Sequence, residues 1–134
     1  MKAEEVMNKK IEYIDPEATV YDAIEKMVDK RIRSLLVNPK DEQDVHGLIT
    51  VRDIVFKIIN KNLNPRKIKV GEITSKPLVC VTKDMPIEHV MALMEKFNIA
   101  RVIVCEEGKV RGVVSLFDVM AGSLIEKAIE GHSA

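Results

Sequence analysis

Gly47-Leu48-Ile49-Thr50-Val51-Arg52-Asp53 and Gly112-Val113-Val114-Ser115-Leu116-Phe117-Asp118 carry one pattern twice, 65 positions apart. Each has a glycine, apolar residues, a hydroxyl residue, and an aspartate three positions beyond it. Thr50 with Asp53, and Ser115 with Asp118, have the spacing of a helix N-cap and its partner. On that reading Gly47 and Gly112 are turn residues entering a strand. The same geometry also suits a ligand. A strand that ends in a hydroxyl residue and opens a helix presents free N–H groups and a positive dipole end. A carboxylate one turn in has two acceptor oxygens for the hydroxyls of a ribose. Capping and binding are compatible, since one Thr or Ser can serve both.

Upstream of the motif the repeat continues at an offset of 67, which lays residues 11–37 on 78–104. In both copies an extended piece, Ile11-Glu12-Tyr13-Ile14 or Leu78-Val79-Cys80-Val81, leads into a turn. Val20, Ala23, Ile24 and Met27 then carry the i, i+3, i+4, i+7 spacing of an amphipathic helix, repeated by Ile87, Val90, Met91 and Met94. Thr19-Val20-Tyr21-Asp22 reads as a capping box at the first start, while Asp84 and Pro86 mark the second. Leu35-Leu36-Val37 and Val102-Ile103-Val104-Cys105 read as buried strands. A polar loop comes after each, residues 38–46 in copy one and the shorter 106–111 in copy two, before the motif. A second helix closes each copy, roughly residues 53–60 and 118–130, the latter stopped by Gly131. Residues 60–71, with Pro65 and several basic residues, form a linker. Each copy is too small to bury both faces of its sheet alone, so the two are expected to pack as one unit, residues 1–62 and 63–134.

Composition excludes several functions. Apolar residues make up 46% of 134, enough for a core. Lys plus Arg is 21 and Asp plus Glu is 21, and the balance holds in each half, so no nucleic-acid footprint is expected. Aromatics are 4% with no Trp, which leaves no base-stacking platform. No apolar run is long enough to span a bilayer. The opening Met1-Lys2-Ala3-Glu4-Glu5 lacks a signal-peptide core, and two cysteines make no disulfide framework, so a cytoplasmic location is expected. Cys80 and Cys105 read as buried small hydrophobes. His46, His89 and His132 have no ligand spacing, and no nucleophile–base pair is evident, so neither a metal nor catalysis is expected. Most of the methionines, among them Met27, Met91, Met94 and Met120, fall at core positions.

The repeated strand–helix–strand–strand–helix unit, ending in the two motifs, resembles a tandem pair of CBS domains. This Bateman module is also found in cystathionine β-synthase, IMP dehydrogenase and the gamma subunit of AMP-activated kinase. The resemblance covers residues 6–125 and leaves no room for a catalytic domain. It implies an α/β (α+β) fold of two β-α-β-β-α repeats packed sheet to sheet with pseudo-two-fold symmetry. It also implies binding of an adenosine ligand (AMP, ADP or ATP) between the repeats, as a sensing, non-catalytic module that signals to a regulated protein partner. The motif carboxylates Asp53 and Asp118 would hold ribose, with Thr50 and Ser115 contacting ribose or phosphate. The resemblance implies that each pocket is completed crosswise. Lys76, Pro77, Leu78 and Ile99 would complete the Asp53 site; Lys9, Lys10, Ile11 and Ile32 would complete the Asp118 site. Arg33, Arg101 and Arg52 are phosphate candidates, and Arg52 with Arg101 tilts the Asp53 site toward a phosphorylated ligand. S-adenosylmethionine or methylthioadenosine, and a ligand-free dimerisation scaffold, are the alternatives. The resemblance further implies a homodimer through helical faces. Ala23, Met27, Val90 and Met94 serve either that face or the core, and residues 119–129, with Ile125 and Ile129, pack on their own module or on a second subunit.

Overall fold

The computed structural model describes residues 1–76 and 78–133, with side chains as far as Glu126. Its strands are β1 (Tyr13–Ile14), β2 (Ser34–Val37) and β3 (Gly47–Thr50), then β4 (Cys80–Val81), β5 (Arg101–Glu106) and β6 (Lys109–Ser115). Its helices are α1 (Ala3–Val6), α2 (Val20–Lys30), α3 (Val51–Ile54), α4 (Ile87–Phe97) and α5 (Leu116–Ser133). The strands form two three-stranded sheets, β1-β2-β3 and β4-β5-β6. In each, the first pair is parallel and the second antiparallel. The repeat is therefore realised twice in one topology, within a mixed α+β fold.

Local chemistry explains the boundaries. Thr19 Oγ1 accepts from the Asp22 amide at 3.1 Å, and the Asp22 carboxylate accepts from Thr19 N–H at 3.0 Å, so α2 begins on a complete capping box. Pro86 is the N-cap of α4. Both helices end on a left-handed residue at the same place in the repeat, Arg31 with φ 55° and Asn98 with φ 52°. Asn tolerates that conformation better than Arg. The hairpin between β5 and β6 turns on Glu107 and Gly108, both with positive φ, the geometry that matches strand twist. By contrast Gly131 stays helical, so α5 runs on to Ser133 instead of stopping there: only a left-handed residue would have terminated it.

The apolar stripes behave as the spacing requires, with two exceptions. Val20, Ala23 and Met27 are buried with Leu35, Val37, Ile49 and Ile58. Val90 and Met94 are buried with Val102, Val104 and Val114. Ala23, Met27, Val90 and Met94 are thus core residues and leave no side chain for a partner. Met91 and Met120, expected inside, are exposed on their helices. Leu36 and Ile103, pointing away from the helices in the alternation of β2 and β5, are also buried, at 1% exposure each. No helix among the described residues is long and apolar enough to cross a membrane.

The chain divides into two compact units that do not follow sequence order. One is Glu12–Leu78; the other joins Met1–Ile11 to Val79–Ala134. The leading segment of each copy is thus folded into the unit built on the other copy, and the bonds correspond at the 67-residue offset. In the first unit Val20 N–H donates to Ile68 O at 2.8 Å, and Val70 N–H to Ala18 O at 2.8 Å. In the second, Ile87 N–H donates to Met1 O at 2.8 Å, and Ala3 N–H to Met85 O at 2.9 Å. Farther along, Ser75 bridges Leu48 of β3 in both directions, at 3.0 and 3.1 Å, as Asn8 bridges Val113 of β6 at 2.8 and 3.0 Å.

This crossing explains the motif glycines, which are strand residues and not turn residues. A Cβ on Gly47 would collide with the Thr74 methyl, and one on Gly112 would lie 2.6 Å from Met7 Sδ. The leading segment needs the space. Gly47→Ala is expected to destabilise the fold by about 1–3 kcal/mol, as overpacking does. Gly112→Ala should cost less because the flexible Met7 side chain is the obstacle. Urea denaturation measures both, and an unchanged midpoint for Gly47→Ala would remove the crossing as the reason for glycine.

Candidate functional site

Each motif sits where a strand hands over to a helix. Thr50 is extended, with φ −121° and ψ 164°, and α3 begins at the next residue. Its Oγ1 accepts from the Asp53 amide at 3.1 Å, while Asp53 Oδ2 accepts from the Thr50 amide and hydroxyl, each at 3.0 Å. Ser115 and Asp118 repeat the set at 3.1, 2.9 and 2.9 Å. A backbone bond from Val51 N–H to Arg33 O, or from Leu116 N–H to Ala100 O, pins the helix start to the preceding strand. The capping expectation is therefore realised in full. It fixes each carboxylate on one oxygen at the positive end of a helix.

The two copies diverge beyond that oxygen. Asp53 Oδ1 faces Lys57 Nζ at 3.3 Å, with the Asp53 side chain only 15% exposed. Lys57 also donates to Ile73 O at 3.2 Å, which holds the amine from two sides. It lies in a π-helical continuation of α3, Val55–Ile59, a backbone form often associated with functional sites. Among the described residues Asp118 makes no ion pair, and the residue four positions on is Gly122. A Cβ there would lie 2.6 Å from Val6 Cγ1 of α1, so no side chain fits.

The other candidate residues divide between the two units. With Asp53 and Thr50 are Lys76, Leu78, Arg52, Ile32 and Arg33; with Asp118 and Ser115 are Lys9, Lys10, Ile11, Ile99 and Arg101. The leading segments therefore bring Lys76 to the unit of Asp53, and Lys9 and Lys10 to that of Asp118. Pro77 lies outside the described residues. Arg52 does not extend alone, for its guanidinium lies 5.3 Å from the centre of the Phe56 ring. Lys76 is paired. Its amine donates to both oxygens of Asp44, at 2.8 and 2.7 Å, and its stem passes over Gly47. Ile32 and Ile99 are half-buried against their cores. Lys9, Lys10 and Arg33 are exposed, while Ile11, Leu78 and Arg101 are half-buried.

Two charged groups at the site lie outside the sequence-based expectations. Lys57 is within reach of inspection, because a cation four residues after an acid on a helix is a familiar pair. Asp44 is not, since it lies in the loop that copy two shortens and its partner is 32 positions away. The Lys76 ammonium, the Lys40 amide and the Val45 amide hold the Asp44 carboxyl down at about 2. The cysteine expectation also changes. Cys80 is exposed, because β4 is a two-residue strand facing outward at that position. Cys105 is half-buried, and burial, then the neighbouring Cys80 thiol, pushes its pKa up to about 12.

Comparison with known proteins agrees with this architecture. The model of the CBS domain matches residues 3–60 and again 70–124, so the chain belongs to the CBS-domain family and carries two copies. An uncharacterised protein of Methanopyrus kandleri is 35% identical over 107 residues, covering 78% of this chain and 54% of that one. The chain spans about half the length of the curated relatives it matches first. A hexameric CBS-CP12 protein from bloom-forming cyanobacteria superposes with a TM-score of 0.85 at 34% identity, over 90% of this chain and 69% of that one. A protein with CBS domains from Burkholderia ambifaria gives 0.83 at 25% identity, over 93% and 95%. A CBS pair is a regulatory module that generally binds a ligand.

The Asp44 pair has a defined pH signature. A carboxyl lowered from its ordinary value of 3.8 contributes fully above that value and loses its contribution as pH falls toward about 2. The difference in proteolytic sensitivity of residues 38–46 between the native chain and Asp44→Asn should be constant from pH 5 to 8. It should shrink only below about pH 4. A difference that already fades between pH 6 and 7 would mean that another group controls the loop.

Proposed function

We propose that the chain is a regulatory, non-catalytic module that binds an adenine nucleotide, AMP, ADP or ATP, and passes the binding event to a protein partner. The observation that carries this reading is the double Thr/Ser–Asp box. In each copy a hydroxyl and a carboxylate are locked together at the positive end of a helix, and carboxylate oxygens are the acceptors that ribose hydroxyls require. Lys9 and Lys10 belong to the unit of Asp118, and Lys76 and Arg52 to that of Asp53, so each unit carries cations that could meet an anionic ligand.

Signalling results if the ligand prefers one arrangement of associated chains over another, since binding then shifts the population toward it. The surface supports association with a second copy. Leu116, Phe117, Met120, Leu124 and Ile125 are all exposed on α5, more apolar side chains than one helix of a lone chain ordinarily shows to water. The hexameric CBS-CP12 neighbour is consistent with self-association within this fold.

A second reading has its own support. Arg52 is spent on Phe56 and Lys76 on Asp44, which lowers the cation supply for phosphates. S-adenosylmethionine or methylthioadenosine would keep the ribose contact without needing them.

Thermal melting separates the readings. At AMP about 100-fold above its Kd, stability rises by about 2.7 kcal/mol and the melting temperature rises with it. Asp53→Asn combined with Asp118→Asn should abolish that rise relative to the variant's own ligand-free melting. Displacement of AMP by equimolar S-adenosylmethionine would favour the second reading. An unchanged curve with millimolar AMP, ATP and S-adenosylmethionine would leave only a scaffold.

A further inference from the structure

We propose that Cys80 and Cys105 form a dithiol modification site, which a low-molecular-weight disulfide such as glutathione disulfide closes into a cross-strand bond within the chain. The inference is independent of the nucleotide reading, because neither cysteine belongs to the repeated motifs.

The sheet register puts the two thiols together. β4 pairs with β5 in parallel, Cys80 beside Ile103 and Val81 beside Val104. Val81, Val102 and Val104 are buried with Val90 and Met94 of α4. Alternation then turns Cys80, Ile103 and Cys105 to the opposite face, with Cys105 one diagonal step from Cys80. The thiols act on each other: after burial, the Cys80 thiol is the next cause of the raised pKa of Cys105. Beyond them Lys83 Nζ meets Glu106 Oε1 at 3.6 Å, which holds the chain after β4 against the end of β5. The first copy has Tyr13 and Asn38 at the matching positions, so the duplication does not account for the pair.

Exposure divides the roles. Cys80 is exposed, whereas Cys105 is half-buried and, with its pKa pushed up to about 12, stays protonated at neutral pH. Cys80 is therefore the thiol that meets a reagent from solvent. Its thiolate attacks one sulfur of the small disulfide, forming a mixed disulfide and expelling one small thiolate. The Cys105 thiolate then attacks Cys80 Sγ and expels the second. Two protein thiols are oxidised, the small disulfide is reduced, and the two protons leave with its two thiols. The low thiolate fraction of Cys105 is offset because its target is held beside it on one sheet face.

Closing the bond draws the strands together. Diagonal cross-strand neighbours stand about 7–8 Å apart at Cα, and a disulfide spans about 4.4–6.8 Å. β4 can supply the difference, being two residues long and at the edge of its sheet. The ladder is already irregular at this level, where the register of β5 on β6 shifts between Val104 and Cys105. The product is a strained bond, the kind that small thiols reduce again.

The test follows the reduced native chain through incubation with glutathione disulfide, by intact mass spectrometry and peptide mapping. The expected end product is lighter than the reduced chain by two hydrogens, with Cys80 linked to Cys105 of the same chain. Excess reduced glutathione should restore the starting mass. Cys105→Ser should stop at a glutathione adduct on Cys80, and Cys80→Ser should react at least about 10-fold more slowly than that variant. Cys105→Ala and Cys80→Ala repeat both measurements, and only variants with the native circular dichroism are compared. An unreactive native chain, a native end product that retains glutathione, a bond between two chains, or Cys105 reacting as fast as Cys80 would each overturn the proposal.

Discussion

A peptide segment crossing a glycine is the constraint on which both units depend. Ser75 bonds Leu48 in both directions, and Asn8 bonds Val113 likewise, so the leading segment of one copy becomes an edge on the sheet of the other. Side chains would keep the two backbones apart; Gly47 and Gly112 let them close. Helix starts and candidate cations both depend on that contact. The same segments cover the starts of α2 and α4, where Ile68 and Met1 carbonyls accept the amides of Val20 and Ile87, groups a helix start leaves unpaired. They also carry Lys76, Lys9 and Lys10 to the units that hold the aspartates. The contact is expensive in chain entropy, since Asn8 and Val113 lie 105 positions apart. One unit is complete only when residues 1–11 and 79–134 have come together, whereas the other closes within the continuous stretch 12–78.

At the candidate site, structure and function draw on the same atoms. A helix start must satisfy its free amides, and a hydroxyl residue with an acid three positions on does so at low cost. Once the cap is made, the carboxylate has one oxygen turned inward and one turned elsewhere. The inward oxygen has equivalent partners in Asp53 and Asp118, the amide and hydroxyl of Thr50 or Ser115; the other oxygen of Asp53 faces Lys57. On the proposed reading the capping role and the binding role would be divided between two oxygens of one side chain. A substitution that removes the carboxylate removes the cap acceptor, whereas Asn keeps an acceptor and loses the charge.

Much of the fold is legible in the sequence because periodicity and turn chemistry are local. The stripe of Val20, Ala23 and Met27, the capping box at Thr19, and the apolar runs of β2 and β5 can be read without knowing what they face. The family resemblance adds the expectation that leading segments act crosswise; Lys76 and Lys9 fall in the units of Asp53 and Asp118, whereas Ile99 and Arg101, expected with Asp53, and Ile32, expected with Asp118, each fall in the other unit. The failures have physical causes. Gly47 and Gly112 read as turn residues, since a sequence shows which residue lacks a Cβ and not which distant methyl would strike it. Gly131 reads as a stop, yet a glycine ends a helix only when it turns left-handed. Cys80 reads as an interior residue because its neighbours are apolar, although strand alternation turns alternate residues outward. Asp44 is invisible, for a loop residue acquires meaning only from the lysine that folding brings to it.

Duplication explains why the fold is symmetric, and packing explains why the chemistry need not be. The two copies share topology, caps and left-handed helix ends, so any difference between their carboxylates has to arise from what lies one turn on. In the first copy that position is solvent-facing enough for Lys57 to reach back to Asp53 and across to Ile73. In the second, α1 lies on the helix and only glycine is tolerated. The leading segments are themselves unequal: one enters as α1, a helical turn with Val6 projecting, the other as a short 3-10 turn, Val70–Glu72. A change of one turn in how a segment docks thus decides whether a cation can stand beside a carboxylate. Among the described residues, the first-copy carboxylate keeps an ion pair one turn on and the second-copy carboxylate has none there.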